Sequence, residues 1–155
     1  LFRSWPSERL FESLLDWGFS PWLVYGMRMK LVENIPRYYE FIRELRNNKS
    51  VKKGFIQQDH IGYQSHQLHM QQYAGCYYIC LIDDKPVGYV GNIKEDYRVA
   101  TLPQYQGQGI GTFMVCELMS KFPNAVAKVK IENIASLRLF EKCGFKKKYY
   151  ILEKE

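Results

Sequence analysis

The chain has 155 residues, of which 46% are hydrophobic and 25% are charged. That length and that balance are typical of one globular domain with its own core, and they exclude a disordered chain and a membrane-spanning one. The formal net charge of +6 comes from lysines and arginines spread along the sequence, which suits an anionic ligand and equally a solvated face. We therefore expect one domain over residues 1–155, with no nucleic-acid partner and no membrane partner.

The four cysteines contain no CxxC pair and are too few for a secreted disulfide scaffold. The start of the chain shows no basic-then-apolar signal pattern. Because free thiols persist in a reducing compartment, these features predict a cytoplasmic protein.

Hydrophobic spacing in the first half predicts three helices and a strand. The first helix lies within residues 1–20, follows the N-cap residue Ser7 and forms an extension ahead of the main fold. A strand is predicted in "PWLVYGMRMKLV", and a second helix in "NIPRYYEFIRELRNN", with Asn34 as its N-cap. A third, short helix is predicted around residues 65–73.

The second half alternates between strand and helix patterns. Two β-rich runs flank the turn residues at 83–86 and predict an antiparallel hairpin, and "DYRVATLP" is a further strand that Pro103 ends. Beyond the glycines, "TFMVCELMSKF" predicts a helix, "AVAKVKI" a strand, "NIASLRLFEKCGF" a helix from Asn133 to Gly144, and "KKYYILEK" a last strand. This order predicts an α+β fold in which a mixed, mostly antiparallel central sheet is flanked by helices.

Three glycines, Gly107, Gly109 and Gly111, follow a strand and open a helix. Glycines at such a position let the backbone turn sharply and present successive N–H groups at the positive end of the helix dipole. They predict a site for a phosphate group. The alternative is a purely structural one, in which the glycines make a tight turn and a close contact between helix and sheet.

Two familiar phosphate loops do not match these glycines. A P-loop ends in Gly-Lys-Ser/Thr, and the chain has no such triplet. The dinucleotide fingerprint G-x-G-x-x-G requires a glycine where the chain has Thr112, although Glu132 lies about twenty residues further on, as that fingerprint expects. A nucleotide-dependent oxidoreductase is therefore the third hypothesis for function.

The stretch from Gln106 to Gly111, "QGQGIG", resembles the Q/R-x-x-G-x-G/A signature of the GNAT superfamily of acetyl-CoA-dependent N-acetyltransferases. A second stretch, Asn133 to Phe145, is similar to the family's later helix, N-x-x-A/S-x-x-L-Y-E-K-x-G-F. The two motifs stand in the family's order, with a helix and a strand between them. The resemblance is good over residues 76–152, whereas in the first half of the chain only the order of the predicted helices and strands is similar. It implies the GNAT-like fold.

The resemblance also implies where acetyl-CoA binds. Backbone amides of the glycine loop are expected to hold the pyrophosphate, the strand end near Leu102 to pair with the pantetheine arm, and Asn133 to contact the pantetheine amides. No metal is expected. The cofactor-binding residues that it implies are Ala100, Thr101, Leu102, Gln106, Gly107, Gln108, Gly109, Ile110, Gly111, Thr112, Asn133, Ser136 and Phe140.

Acetyl transfer to an amine needs a base, an oxyanion donor and a proton for the leaving thiolate. Asp96 is the first choice of base and Glu95 the second, because both stand where several family members keep a catalytic carboxylate; the alternative is a solvated turn. A backbone N–H within residues 100–102 is expected to face the oxyanion. The family's usual acid is a tyrosine, but this chain has Phe140 there, so the proton comes from water or from another donor, such as Tyr149, Tyr150 or Cys143.

Three histidines, His60, His66 and His69, lie in a stretch rich in glutamine. The i, i+3 spacing of the last two permits metal binding in principle, but no third ligand follows at a fixed spacing. His66 is instead a candidate base lining an acceptor pocket. Together with "FIRELRN", it faintly resembles the first half of GNAT enzymes that acetylate amino-sugar nucleotides.

The sequence thus predicts an enzyme, an acyltransferase that moves an acetyl group from acetyl-CoA to a primary amine. The acceptor is a small molecule such as an amino sugar, or a protein amine, and the enzyme acts as a monomer or a homodimer. The alternative is a catalytically weak or inactive acyl-CoA-binding module, which the phenylalanine at position 140 favours.

Overall fold

The computed structural model of the chain describes residues 29–154. The predicted helix within residues 1–20 and the first part of the predicted strand that follows it lie outside the described residues. None of the helices between residues 29 and 154 combines the length and the apolarity needed to cross a membrane. The elements are β1 (Met29–Glu33), α1 (Tyr39–Asn47), α2 (Lys49–Lys52), α3 (Tyr63–Tyr73), β2 (Tyr77–Ile82), β3 (Lys85–Ile93), β4 (Asp96–Thr101), α4 (Ile110–Met119) and α5 (Ile134–Lys142).

The four strands form one antiparallel sheet in the order β1-β2-β3-β4. Two tight turns set this order. Asp83 and Asp84 connect β2 to β3, and Lys94 and Glu95 connect β3 to β4, all four with positive φ, as two-residue hairpin turns of the primed types require. The predicted hairpin and the predicted α+β fold are confirmed.

Each face of the sheet carries its own apolar cluster, because side chains alternate between the faces along a strand. On one face, Tyr77 and Ile79 of β2 pack with Ile42 of α1 and Met70 of α3. On the other, β2 packs through Tyr78, Cys80 and Ile82 against α4 and α5. The sheet is thus a layer between α1 and α3 on one side and α4 and α5 on the other, which is why β2 is buried along its whole length.

Two strands predicted in the last third of the chain are not formed. Residues 125–131 meet the sheet through a single parallel bridge between Asp96 and Val126. Residues 147–154 have no regular structure, and their apolar side chains are exposed, up to 93% at Leu152. Residues 125–131 leave the edge of β4 after this bridge, and residues 147–154 pair with no strand of the described part of the chain, so neither segment forms the backbone ladder that a strand needs.

The predicted N-cap at Asn34 is wrong. The helical region starts with a 3₁₀ turn at Pro36–Tyr38, whose N-cap is Ile35. Asn34 is buried, and its Nδ2 atom lies 3.4 Å from both Met70 Sδ and the carbonyl oxygen of Ala74. Its amide therefore joins β1 to the end of α3 and does not cap a helix.

Candidate active site

β4 has a free edge next to the glycine loop. At its start the edge is occupied: Tyr97 donates its N–H to the carbonyl of Val126, and Val126 donates to that of Glu95, both at 2.8 Å. The chain then leaves the sheet, and Lys128 donates its N–H to Oδ1 of Asp96 at 3.2 Å instead of to a β4 carbonyl. Beyond Tyr97, the outer backbone groups of β4 therefore face a gap.

The register of β4 decides which backbone groups face this gap. Leu102 donates its N–H to the carbonyl of Val87 at 2.8 Å, and hydrogen bonds alternate in direction along an antiparallel strand. The groups of Ala100 are therefore directed toward β3, and those of Val99 and Thr101 toward the gap. Within the predicted oxyanion stretch 100–102, only Thr101 offers an N–H to a ligand in the gap.

The glycine loop ends in a helix start with free donors. Gly107 and Gly109 have φ values of +73° and +83°, which favour glycine. Gly109 is the N-cap of α4, and no side chain caps this end. The N–H groups of Ile110, Gly111 and Thr112, the first of the helix, are therefore available to an anion.

Gly111 serves a different purpose from the other two glycines. A Cβ atom built on it would lie 2.5 Å from Cδ1 of Leu139, so its missing side chain allows α4 and α5 to approach. Gln106 fastens the loop by donating from Nε2 to the carbonyl of Thr101 at 3.1 Å. Gly107 and Gly109 therefore shape the loop, and Gly111 allows the close packing of α4 against α5.

A cleft of about 920 Å³ lies between the glycine loop, the free edge of β4 and the start of α5. Leu102 and Gln108 are the two predicted cofactor residues that do not line it. Those that do are Ala100, Thr101, Gln106, Gly107, Gly109, Ile110, Gly111, Thr112, Asn133, Ser136 and Phe140.

Basic side chains outnumber acidic ones in the lining of the cleft. The acidic ones are Asp96, Glu132 and Glu153. A surplus of positive charge inside a cleft raises the local concentration of an anionic ligand. The basic lining residues are Arg46, Lys53, Arg98, Lys128, Lys130, Arg138 and Lys142.

Asn133 joins the two sides of the cleft. It is the N-cap of α5, as predicted, because its Oδ1 atom accepts the N–H of Ser136 at 3.1 Å. Its Nδ2 atom donates to the carbonyl of Gly54, in the loop between α2 and α3, at 3.0 Å. The Asn133 amide therefore holds that loop against α5.

The two predicted carboxylates are placed differently. Asp96 lines the cleft, with Oδ2 3.9 Å from Nε of Arg98. Glu95 is exposed in the turn before β4 and does not line the cleft. Only Asp96 is therefore in a position to contact a ligand there.

Residues 35–145 match the sequence model of the acetyltransferase (GNAT) family. The chain belongs to this family. Its loop and both of its motifs lie inside the matched range, and the GNAT co-substrate is acetyl-CoA. The residues present fit it, since an uncapped helix start suits a diphosphate and a free strand edge suits an extended chain with amide groups.

Solved structures of GNAT enzymes share the fold. A spermidine N-acetyltransferase from Vibrio cholerae, in complex with CoA and spermine, is 15% identical, with a TM-score of 0.68, and the match covers 81% of this chain and 85% of that one. An aminoglycoside N-acetyltransferase in complex with CoA is 14% identical, with a TM-score of 0.63 over 84% and 95% of the two chains. No curated protein matches the chain in sequence.

His66, predicted as a candidate base, lies outside the cleft of the GNAT domain. It is 1% exposed, and its Nε2 donates to the carbonyl of Tyr39 at 2.7 Å, which ties α3 to α1. Burial lowers its pKa from the ordinary value and favours the neutral ring. His66 is a structural residue in this arrangement. Within residues 29–154, no group of three or more potential ligands is gathered for a metal.

None of the three alternative acids suggested for the leaving thiolate lines the cleft. Tyr149 and Tyr150 are more than 80% exposed in the C-terminal segment. The thiol of Cys143 is buried beside Cys116, with the two Sγ atoms 3.3 Å apart. Hydrogen bonding to Cys116 and burial raise its pKa. Phe140 does line the cleft, where it packs edge-on against another phenylalanine ring.

The sequence analysis missed the side chains that line the cleft from the α1 side. They are Arg46 of α1, Phe55 in the loop that follows α2, Tyr89 of β3 and Arg98 of β4. No motif joins these residues, because they come from four separate elements. One signal was available: Arg98 is two residues from Asp96 on a predicted strand and therefore shares its face.

Proposed function

We propose that the chain is an N-acetyltransferase that moves an acetyl group from acetyl-CoA to a primary amine of a small molecule or of a protein. One observation carries the proposal: the uncapped start of α4 and the free edge of β4 open into the same basic cleft. When bound, acetyl-CoA supplies a thioester-activated acetyl group, a diphosphate and an extended arm with amide groups. Each of the latter two has a matching set of backbone groups in the cleft.

The cofactor half of the cleft binds through the backbone. The N–H groups at the start of α4 hold the diphosphate, and the outward groups of Val99 and Thr101 pair with the extended arm as an added strand would. An arm that runs along β4 from the glycine loop brings its far end toward Asp96 and Arg98. The N–H of Val99, the nearer of the two to Asp96 along β4, then faces the oxygen on which negative charge develops, and the N–H of Thr101 is left for the arm.

Asp96 is the base in this proposal. It lies at the far end of β4 from the glycine loop and accepts an N–H from Lys128, which fixes the orientation of its carboxylate. From there it accepts a proton from the acceptor ammonium, directly or through a water molecule. The leaving thiolate takes its proton from water, because Phe140 has no proton to donate.

The alternative is a module that binds acyl-CoA without transferring the acyl group, and Phe140 is the observation that favours it. Thiol release from acetyl-CoA in the presence of a panel of amines separates the two functions. The transferase releases thiol with at least one amine in proportion to acetylated product. A module that only binds CoA releases none with any amine.

Calorimetric titration of the full chain with CoA tests the proposal independently of the acceptor. We expect saturable binding with one site per chain. An absence of binding at high micromolar CoA contradicts both the transferase and the module.

A further inference from the structure

The side chain of Tyr89 lies in the cleft on the α1 side. Tyr89 is 1% exposed and lines the cleft, and among the described residues none forms a hydrogen bond with its hydroxyl. Because β3 is an interior strand, the side chain of Tyr89 is the part that reaches the cleft. Its hydroxyl is therefore available to a ligand in the cleft, as a donor or an acceptor.

Two guanidinium groups line the cleft together with Tyr89. Arg46 of α1 lies over the ring of Phe55, 5.8 Å from its centroid, and Arg98 lies on the adjacent strand β4. Both line the cleft beside Tyr89. On the same face of the sheet, His69 is hydrogen-bonded to the Tyr77 hydroxyl at 2.9 Å, and its pKa is lowered to about 4 chiefly by burial, with smaller contributions from Arg98 and Arg46.

One carboxylate lies close to these arginines. Asp96 forms a long ion pair with Arg98, with Oδ2 3.9 Å from Nε, and its Oδ1 accepts an amide N–H from Lys128. It offsets part of the charge of Arg98, whereas Arg46 forms no ion pair within residues 29–154. Lys53 lines the same side of the cleft and adds to the positive charge. Two guanidinium groups and a hydroxyl thus line this side of the cleft and offer more donors than acceptors, which is what an oxyanion requires.

We propose that Arg46, Arg98 and Tyr89 bind an oxyanion of the acceptor, so that the acceptor is an amine that also carries a carboxylate or phosphate group. This inference rests on the proposed transferase function and names its substrate class. A polyamine is disfavoured, because its additional ammonium groups would meet the two guanidinium groups.

The phosphates of CoA are the competing occupant of these arginines. The cleft has other basic groups: Arg138 of α5, the helix that packs against the start of α4, lines it together with Lys130 and Lys142. We therefore assign Arg138 and Lys130 to the cofactor, and Arg46 and Arg98 to the acceptor. Saturating the protein with CoA before the acceptor is added separates the two.

The test is calorimetric titration of the CoA-saturated full chain with four amines. Glucosamine, glucosamine 6-phosphate and muramic acid share one amine and differ in having no anion, a phosphate or a carboxylate; spermidine is the polycation. We expect at least one of the two anionic amines to bind tenfold or more tightly than glucosamine, and spermidine to bind more weakly than glucosamine. Which anionic amine binds tighter identifies the oxyanion. Equal affinities, tightest binding by spermidine, or no binding of either anionic amine overturns the proposal.

Three variants locate the oxyanion. Arg46→Gln should weaken the binding of the anionic amine about tenfold and leave the affinity for glucosamine within twofold of the unsubstituted chain. Lys49→Gln is the control: it removes an equal charge from an exposed position outside the cleft and should change neither affinity. Tyr89→Phe deletes only the hydroxyl; it should weaken the anionic amine about fivefold without lowering the melting temperature. If Arg46→Gln weakens the binding of CoA and leaves the affinity for the amine unchanged, the arginines bind the cofactor and the proposal is wrong. Failure of CoA itself to bind the unsubstituted chain contradicts the transferase function instead.

Discussion

The two halves of the cleft are built from different parts of the chain. The cofactor half, beside α4, offers N–H groups at a helix start and along a strand edge. The half beside α1, which we propose binds the acceptor, offers side chains from two separate parts of the chain, residues 46–55 and 89–98. A site built from backbone groups is compatible with many side chains, whereas a site built from side chains changes with each substitution.

The largest expected effect separates chemistry from cofactor binding. Replacing Asp96 with asparagine keeps its shape and removes its basicity, so kcat should fall by about 10²-fold or more. Affinity for CoA, measured by calorimetry, should stay within threefold. Glu95→Gln is the matched control, since Glu95 lies outside the cleft. An unchanged kcat in the Asp96 variant would assign the base to another group.

The next effect tests the cofactor half alone. Gly109→Val moves an L side chain into a backbone conformation with φ of +83° at the start of α4, which misaligns the N–H groups there. One hydrogen bond to a charged group is worth roughly 1.5–3 kcal/mol, so the Kd for CoA should rise about 10- to 100-fold.

Gly144→Val is the control for this substitution. Gly144 has a similar positive φ, +91°, and does not line the cleft. Both variants should lose a comparable free energy of unfolding in denaturant, but only the Gly109 variant should lose affinity for CoA. Equal loss of CoA in both would mean that strain, not the loop, determines binding.

The third effect is the pH dependence of stability, which arises from two histidines of α3. His66 and His69 of α3 have pKa values below their ordinary value, chiefly because of burial. The folded state therefore binds these protons less readily than the unfolded chain. Stability that is fully present above pH 6.5 should decline as the pH falls toward 4, the folded pKa of His69.

For His69 the loss is on the order of 2 kcal/mol after allowance for its partial exposure. Urea unfolding at a series of pH values measures it, and His69→Gln should flatten the curve between pH 6.5 and 4. A variant as acid-sensitive as the parent would show that other groups cause the decline.

The smallest effect tests the link between the halves. A Cβ at Gly54 would lie 2.7 Å from Nδ2 of Asn133, so Gly54→Ala should break the hydrogen bond that holds the loop against α5. We expect a loss of about 1 kcal/mol and a twofold to threefold change in the KM of the acceptor. Gly75→Ala is the control, because a Cβ there meets nothing within 4 Å. If the two variants behave alike, Asn133 does not join the halves.

The sequence was informative where local pattern and backbone geometry coincide. Gly107 and Gly109 are predictable because only glycine adopts their conformation readily, and the cap at Asn133 follows from its position before a helix. The presence of Arg46 and Tyr89 in one cleft was not predictable, because it depends on how α1 packs against β3. The failed strand at residues 147–154 has the same cause, since periodicity states what a segment prefers and not whether a partner strand is present. Histidine is a common base, but His66 is buried and donates a hydrogen bond to the carbonyl of Tyr39, so its role is structural.

Amide chemical shifts measured in the ¹⁵N-labelled full chain during CoA titration test the central claim most directly. If backbone groups form the cofactor half, the largest changes should occur at the amides of Gly109 to Thr112, with further changes at Val99 and Thr101. The amides of α1 around Arg46 should change little until an acceptor is added. Changes concentrated in α1, with the α4 and β4 amides unaffected, would contradict the account.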